Sequence, residues 1–274
     1  MPRPSAAALL VVVALVVAAS GCSRLTFVKP DAKRKGPQET ARTYSVSDSP
    51  ATKRRLAAND RLIRGTQRLQ SGDFAAAEKE AAAVIRDNPE SADAHTLMAV
   101  SKDRQGDQVA AGRYYQRAAE LAPAQGAALN NHGTWLCNNG FPAESLVWFD
   151  RALAAPGYAT PSSALANAGG CALRSGQLAR AERDLRQALE LEPGNAYALA
   201  SMAESEFRQD RFMAARAFSE RRLAAAPATA DVLQLASQIE HRLGDKAAAS
   251  RYVQRLRVEF PEAAVANPGG ITGP

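Results

Sequence analysis

SSALANAGGCALRSGQLARAERDLRQALELEPG, residues 162–194, is the stretch on which the reading of the fold turns. Gly176 sits near its middle and Pro193 near its end. Before Gly176, Leu165 and Gly169 lie four apart; after it, Ala181, Leu185 and Ala188 recur at three and four. That is the apolar period of two helices flanking a turn. Proline then stops the second helix, because it supplies no N–H for the i→i−4 bond and its ring clashes with the preceding turn.

The same punctuation recurs along the chain. The turn and proline pairs are Gly72/Pro89, Gly106/Pro123, Gly140/Pro156, Gly176/Pro193, Asp210/Pro227 and Gly244/Pro261. Successive turn residues lie 34, 34, 36, 34 and 34 apart. A period of 34 is that of a helix–turn–helix repeat, whose units cannot bury their apolar faces alone and therefore stack. Seven residues before each turn the side chain is small: Gly65, Ala99, Gly133, Gly169, Ala203 and Ser237. Five residues after it the side chain is small again: Ala77, Ala111, Ser145, Ala181, Ala215 and Ala249. One small residue on each helix is what an antiparallel pair needs where its axes cross most closely. With 6% aromatics and no sustained period-2 alternation, the chain reads as all-α.

Together these units resemble the tetratricopeptide repeat over residues 51–263. The resemblance implies a right-handed solenoid of about six helix–turn–helix repeats that binds other proteins. The first helix is expected from Pro50 to about Gln70, with Ser49 as its cap. The fifth repeat departs from the pattern with Asp210 at its turn and Arg222 where alanine is usual. Ala-Pro-Gly-Tyr-Ala-Thr-Pro at 155–161 makes the 36-residue step and reads as a longer loop. Residues 264–274, with Pro268-Gly269-Gly270, read as a tail.

The N-terminus reads as an address. Arg3 precedes an unbroken small or aliphatic run, Ala6–Ala19, followed by Ala-Ser-Gly-Cys at 19–22. A basic start, a short apolar core and small residues before a cleavage point make a signal peptide, here 1–21. The run is shorter than the roughly 20 residues a spanning helix needs. The cysteine after the small residues resembles the bacterial lipoprotein signal, which implies acylation of Cys22 as the first mature residue. Ser23, in place of Asp, implies sorting to the outer membrane, with the domain facing the periplasm of a Gram-negative cell. Residues 22–50, with Pro30, Gly36, Pro37 and Pro50, read as the lipidated cysteine and a polar tether.

Charge narrows the partner. The net charge is +6, but residues 23–55 hold nine Lys/Arg against three Asp/Glu, whereas residues 56–274 hold 24 against 25. A balanced repeat domain argues against nucleic acid. No His-Glu-x-x-His, Walker loop or nucleophile elbow is present, so no enzyme, cofactor, metal or small-molecule substrate is expected. His95, His132 and His241 fall in different repeats and are expected to pack within or beside first helices. Glu204, Glu206 and Asp210 read as surface charge. With Cys22 lipidated, Cys137 and Cys171 remain in an oxidising compartment, where an even count favours a disulfide. They read either as a bridge clamping repeats three and four or as two buried free thiols.

The third repeat is the most specific. Leu129-Asn130-Asn131-His132-Gly133-Thr134-Trp135-Leu136-Cys137-Asn138-Asn139-Gly140, followed by Phe149-Asp150, resembles the type IV pilus biogenesis lipoproteins of the PilF/PilW kind. The resemblance implies a pilotin, an outer-membrane lipoprotein that helps the pilus secretin reach or assemble in that membrane; in some members a third-repeat cysteine pairs with one in the fourth. The alternative is another periplasm-facing envelope scaffold, such as an adaptor for cell-wall enzymes or an outer-membrane assembly factor. Asn130, Asn131, Thr134, Asn138 and Asn167 are candidates to face the groove, because an amide offers donors and acceptors to a peptide backbone. The same residues could instead bridge neighbouring repeats. Leu62, Ile63 and Leu69 read either as an apolar docking groove or as core.

Overall fold

The structure, a computed structural model, describes residues 48–266. The segment read as a signal peptide, Cys22 and most of the tether and tail lie outside the described residues.

Among the described residues there are thirteen helices and no strand. They are α1 (Pro50–Gln70), α2 (Phe74–Asp87), α3 (Ala92–Arg104), α4 (Gln108–Leu121), α5 (Gly126–Asn138), α6 (Pro142–Ala154), α7 (Pro161–Arg174), α8 (Leu178–Leu191), α9 (Ala196–Arg208), α10 (Phe212–Ala225), α11 (Ala230–Arg242), α12 (Lys246–Glu259) and the short α13 (Pro261–Ala266). Consecutive helices pack pairwise, α1 with α2 through α11 with α12, and each pair packs on the next. The result is six stacked helix–turn–helix repeats.

The turns explain why the spacing is so regular. All six turn residues have positive φ, from 56° at Asp210 to 95° at Gly140. In each repeat the next backbone N–H bonds a carbonyl five residues back, as Gln177 does to Ala172 at 2.8 Å and Arg211 to Glu206 at 2.9 Å. This closure satisfies the last carbonyls of the first helix and demands a left-handed residue, for which glycine is the least strained choice. In repeats one, two and six an aspartate follows the glycine and caps the second helix: Asp73 on Ala76 N, Asp107 on Ala110 N and Asp245 on Ala248 N. One Gly-Asp dipeptide thus ends one helix and starts the next.

All twelve small crossing residues are buried. In the sixth repeat the Ser237 hydroxyl donates to the Ala249 carbonyl at 3.3 Å, a contact possible only where backbones lie close. Around these crossings sit the large apolar side chains, with Leu129, Phe149, Leu185, Leu199, Met202, Leu233 and Ile239 essentially inaccessible. Each such side chain contributes about 1.5–3 kcal/mol by leaving water. The 155–161 loop inserts Tyr158 against Ala119, Leu129 and Ala152, over the helix start at Gly126.

Two expectations about charge and histidine need correction. Glu206 is not surface charge: it is 2% exposed, and Arg211 closes over it through Nε and Nη2. Its carboxylate points into the repeat interface because a cation five residues later, across the turn, can follow it there. His95 and His132 are buried, but His241 is exposed on the last turn of α11.

Candidate protein-binding groove

The first helices α7, α9 and α11 line one groove of about 1100 Å³, with Asn138 of α5 at its margin. Its floor mixes apolar and polar groups: Leu173, Tyr197, Phe207, Val232 and Leu235 beside Arg174, Arg208 and Gln238. Tyr197 enters the groove because Gly170 faces it. A Cβ at Gly170 would lie 2.3 Å from the Tyr197 hydroxyl. Arg174 then holds the phenol, donating from Nη2 to its oxygen at 3.3 Å and from Nη1 to Asn138 Oδ1 at 3.2 Å.

In repeats four, five and six an arginine stands two residues before the turn, and each of these three reaches back one repeat. Arg174 meets Asn138, Arg208 donates to the Leu173 carbonyl at 3.1 Å, and Arg242 pairs with Asp210 at 2.9 Å. Arg242 also stacks on Phe212, 4.2 Å from the ring centre. Arg222 lies 8% exposed and donates Nη1 to the carbonyls of Ala226 and Pro227, at 3.0 and 3.1 Å. It caps the end of α10, where unpaired carbonyls favour a cation.

Of the polar candidates around the third repeat, Asn130, Asn131, Thr134 and Asn167 are half-buried and Asn138 is exposed. Asn167 donates to Asn130 Oδ1 at 3.1 Å and to Thr134 Oγ1 at 3.2 Å, which ties α7 to α5. Thr134 in turn donates to the Asn130 carbonyl at 2.9 Å. Asn130, Thr134 and Asn167 thus bridge repeats. Asn131, Thr134 and Asn138 line a second, smaller pocket between repeats two and three. In the first repeat Leu62 and Leu69 pack against Ala77, Ala81, Leu97 and Met98, whereas Ile63 is 58% exposed.

Cys137 and Cys171 are joined, with Cα atoms 5.9 Å apart, so the bridge links α5 to α7. Both are buried beside Leu146, Phe149 and Leu173. His132 stacks on Trp135 and meets Trp148 edge-on at 4.5 Å. Burial depresses its imidazole to about 4, so the ring is neutral at ordinary pH. Among the described residues no group of three or more His, Cys, Asp or Glu side chains is placed to hold a metal ion.

Comparison with known proteins fits this geometry. The tetratricopeptide repeat family matches residues 172–239, which span α8 to α11. The fold is a tetratricopeptide-repeat solenoid. The solved structure of PilW, a widely conserved type IV pilus biogenesis factor, superposes with a TM-score of 0.71 at 25% identity. The match covers 77% of this chain and 98% of that one. PilF of Pseudomonas aeruginosa superposes with a TM-score of 0.69 at 22% identity, over 77% of this chain and 95% of that one. A chain of the APC/C hetero-tetramer Cut9-Hcn1 reaches 0.67 at 16% identity, with 81% of this chain on 46% of that one. Comparison with curated proteins finds no match. Tetratricopeptide solenoids act as protein-interaction modules, and the groove has the mixed lining such a role needs.

The tyrosine and arginines of the groove went unread in the sequence. Their signal was present, because Arg104, Arg174, Arg208 and Arg242 stand at one repeat position. A cation repeated at one offset on first helices marks one face of the stack.

Proposed function

We propose that this chain is an outer-membrane lipoprotein scaffold for type IV pilus biogenesis, acting as a pilotin that binds the pilus secretin during its localisation and assembly. The observation that carries the reading is the extent of the likeness to PilW: 98% of that chain is matched in one superposition, at a TM-score of 0.71. The 25% identity to PilW also stands above the 16% of the Cut9-Hcn1 chain, which shares the repeat type over 46% of its length. The Asn-Asn-x-Gly-x-x-Leu-Cys-x-x-Gly stretch at 130–140 supports it, as does the lipoprotein-like Ala-Ser-Gly-Cys at 19–22. Acylation at Cys22 would hold the domain at the membrane, at about 0.8 kcal/mol per buried CH₂. The partner would lie along the groove between α7, α9 and α11, against Tyr197, Phe207 and the arginines.

Deletion of the gene tests the reading. The expected outcome is loss of twitching motility together with loss of secretin multimers on a gel. Normal motility with normal multimers rejects it. Loss of another envelope function with intact multimers favours a cell-wall or outer-membrane assembly scaffold instead. Labelled palmitate followed to Cys22, and absent from a Cys22→Ser variant, tests the anchor.

A further inference from the structure

The smaller pocket, of about 350 Å³, lies between repeats two and three and shares Asn138 with the long groove. Asp103, Gln108, Tyr115, Asn131 and Trp135 line it. Asp103 is unusual in this protein. Among the described residues, Glu78, Glu80, Glu182, Asp184, Glu204, Glu206 and Glu240 are the other carboxylates not fully exposed, and every one pairs with an arginine or lysine. Asp103 pairs with none. Its partner is the neutral amide of Gln108, which donates to Oδ1 at 2.8 Å. Of the neighbouring cations, Lys102 pairs with Glu78 at 2.7 Å, and Arg104 is exposed and forms no ion pair with Asp103, though its charge reaches Tyr115.

The position adds to the cost. Asp103 is in the last turn of α3, where the carbonyl end of the helix disfavours negative charge. A half-buried carboxylate at that end is costly unless something of opposite charge meets it. Two further groups on the pocket residues lack protein partners, Gln108 Oε1 and Trp135 Nε1, and both are buried. Tyr115 beside them is 7% exposed. The pocket thus combines an uncompensated carboxylate, an unengaged amide oxygen and two aromatic side chains.

We infer that this pocket takes a basic side chain, lysine or arginine, from an extended segment of the protein partner. The cationic head meets Asp103 and the Gln108 amide oxygen, and the aliphatic stem lies along Tyr115 and Trp135. An acidic side chain is repelled by Asp103, and a neutral one leaves the carboxylate uncompensated. Asn138 borders both the pocket and the long groove, so a segment laid past Asn138 would run from repeat two towards repeat four. The inference rests on the reading of this chain as a protein-binding scaffold and adds a residue preference to it.

The test is a titration of the purified protein, nitrogen-15 labelled, with blocked tetrapeptides Ac-Ala-X-Ala-Ala-NH₂ in which X is Lys, Arg, Gln or Glu. The Trp135 indole N–H is the reporter, assigned by its absence in Trp135→Phe. Saturable shifts are expected with Lys and Arg, about tenfold weaker affinity with Gln and no response to Glu. Asp103→Asn, which preserves shape and the Gln108 contact, is expected to erase the preference for Lys and Arg. In the unaltered protein, raising salt from low to high is expected to weaken the Lys and Arg peptides but not the Gln peptide. No saturable shift with either basic peptide, an equal response to Gln, or indifference to Asp103→Asn or to salt overturns the inference and leaves a water-filled gap between repeats. Secretin co-isolation is scored separately: capture that persists while the peptides fail removes the pocket and leaves the pilotin reading. Capture that fails in the unaltered protein removes the pilotin reading whatever the peptides do.

Discussion

Arg216 of α10 grips Glu240 of α11 with two nitrogens, Nε on Oε1 at 3.0 Å and Nη2 on Oε2, and so fastens the sixth repeat to the fifth. Glu240 is 4% exposed, so its charge depends on this one guanidinium. Arg216→Ala strands a buried carboxylate and is expected to destabilise the sixth repeat by about 2–3 kcal/mol, below the full cost of a broken buried pair because the arginine is partly wet. Stability in a repeat array is local. Hydrogen exchange should therefore accelerate in α11 and α12 and stay unchanged in α3 to α6. The Arg216→Met/Glu240→Met double variant should recover most of the loss, since no charge is then left unpaired.

The Cys137–Cys171 bridge closes a loop with a sequence separation of 34. Chain entropy for a loop of that length corresponds to about 3–4 kcal/mol. The Cys137→Ser/Cys171→Ser double variant should lose up to that amount in urea unfolding, and reduction of the unaltered protein should produce the same loss. If unfolded, unreduced protein shows two reactive thiols, the bridge does not form in the cell.

His132 gives the stability a pH dependence with a definite sign. Its imidazole is depressed to about 4 in the fold by burial, against about 6.5 when exposed. As pH falls from about 6.5 to about 4, the unfolded chain binds the proton first, and stability is lost across that window. At about 1.4 kcal/mol per unit the contribution is at most about 3 kcal/mol. His132→Gln removes the titration and keeps a polar side chain. The drop in unfolding free energy between pH 7 and pH 4.5 should be about 1–3 kcal/mol smaller in the variant than in the unaltered protein.

The repeat frame was legible because each turn forces one backbone geometry at one position. Gly72, Gly106, Gly140, Gly176 and Gly244 all adopt positive φ, and Asp210 does so despite its side chain. The small crossing residues were legible for the same reason, recurring at fixed offsets from those turns. What stayed hidden depends on partners far away in sequence. Glu240 is buried only because Arg216, 24 residues earlier, meets it. The amides of the third repeat could not be assigned from chemistry alone, since the donor and acceptor that would hold a peptide also suit a neighbouring helix. Asn167 meets Asn130 and Thr134 because consecutive first helices stand side by side. Leu62 and Leu69 differ from Ile63 by the face of α1 they occupy, and a helix long enough to extend past its partner does not declare which face is covered.

Gly112 on α4 faces the Trp135 indole of α5 across the boundary between repeats two and three. A Cβ there would lie 2.3 Å from Trp135 Cζ2 and 2.4 Å from Cη2. Gly112→Ala sets two effects against each other. Alanine in a helix interior is favoured over glycine by about 1 kcal/mol. Overpacking costs about 1–3 kcal/mol when the neighbour cannot retreat. Trp135 has little room to do so, because its indole is stacked on buried His132, which is itself edge-on to Trp148. The clash should therefore win, with a net destabilisation of about 1–2 kcal/mol in urea unfolding and a shift in tryptophan emission as the indole moves. Gly194, whose Cβ would meet nothing within 4 Å and which needs no positive φ, is the control. Gly194→Ala should be neutral or slightly stabilising, by about 0.5 kcal/mol, through the unfolded chain. Equal effects at the two positions would mean that Trp135 moves aside freely and that the interface between repeats two and three is not held by its packing.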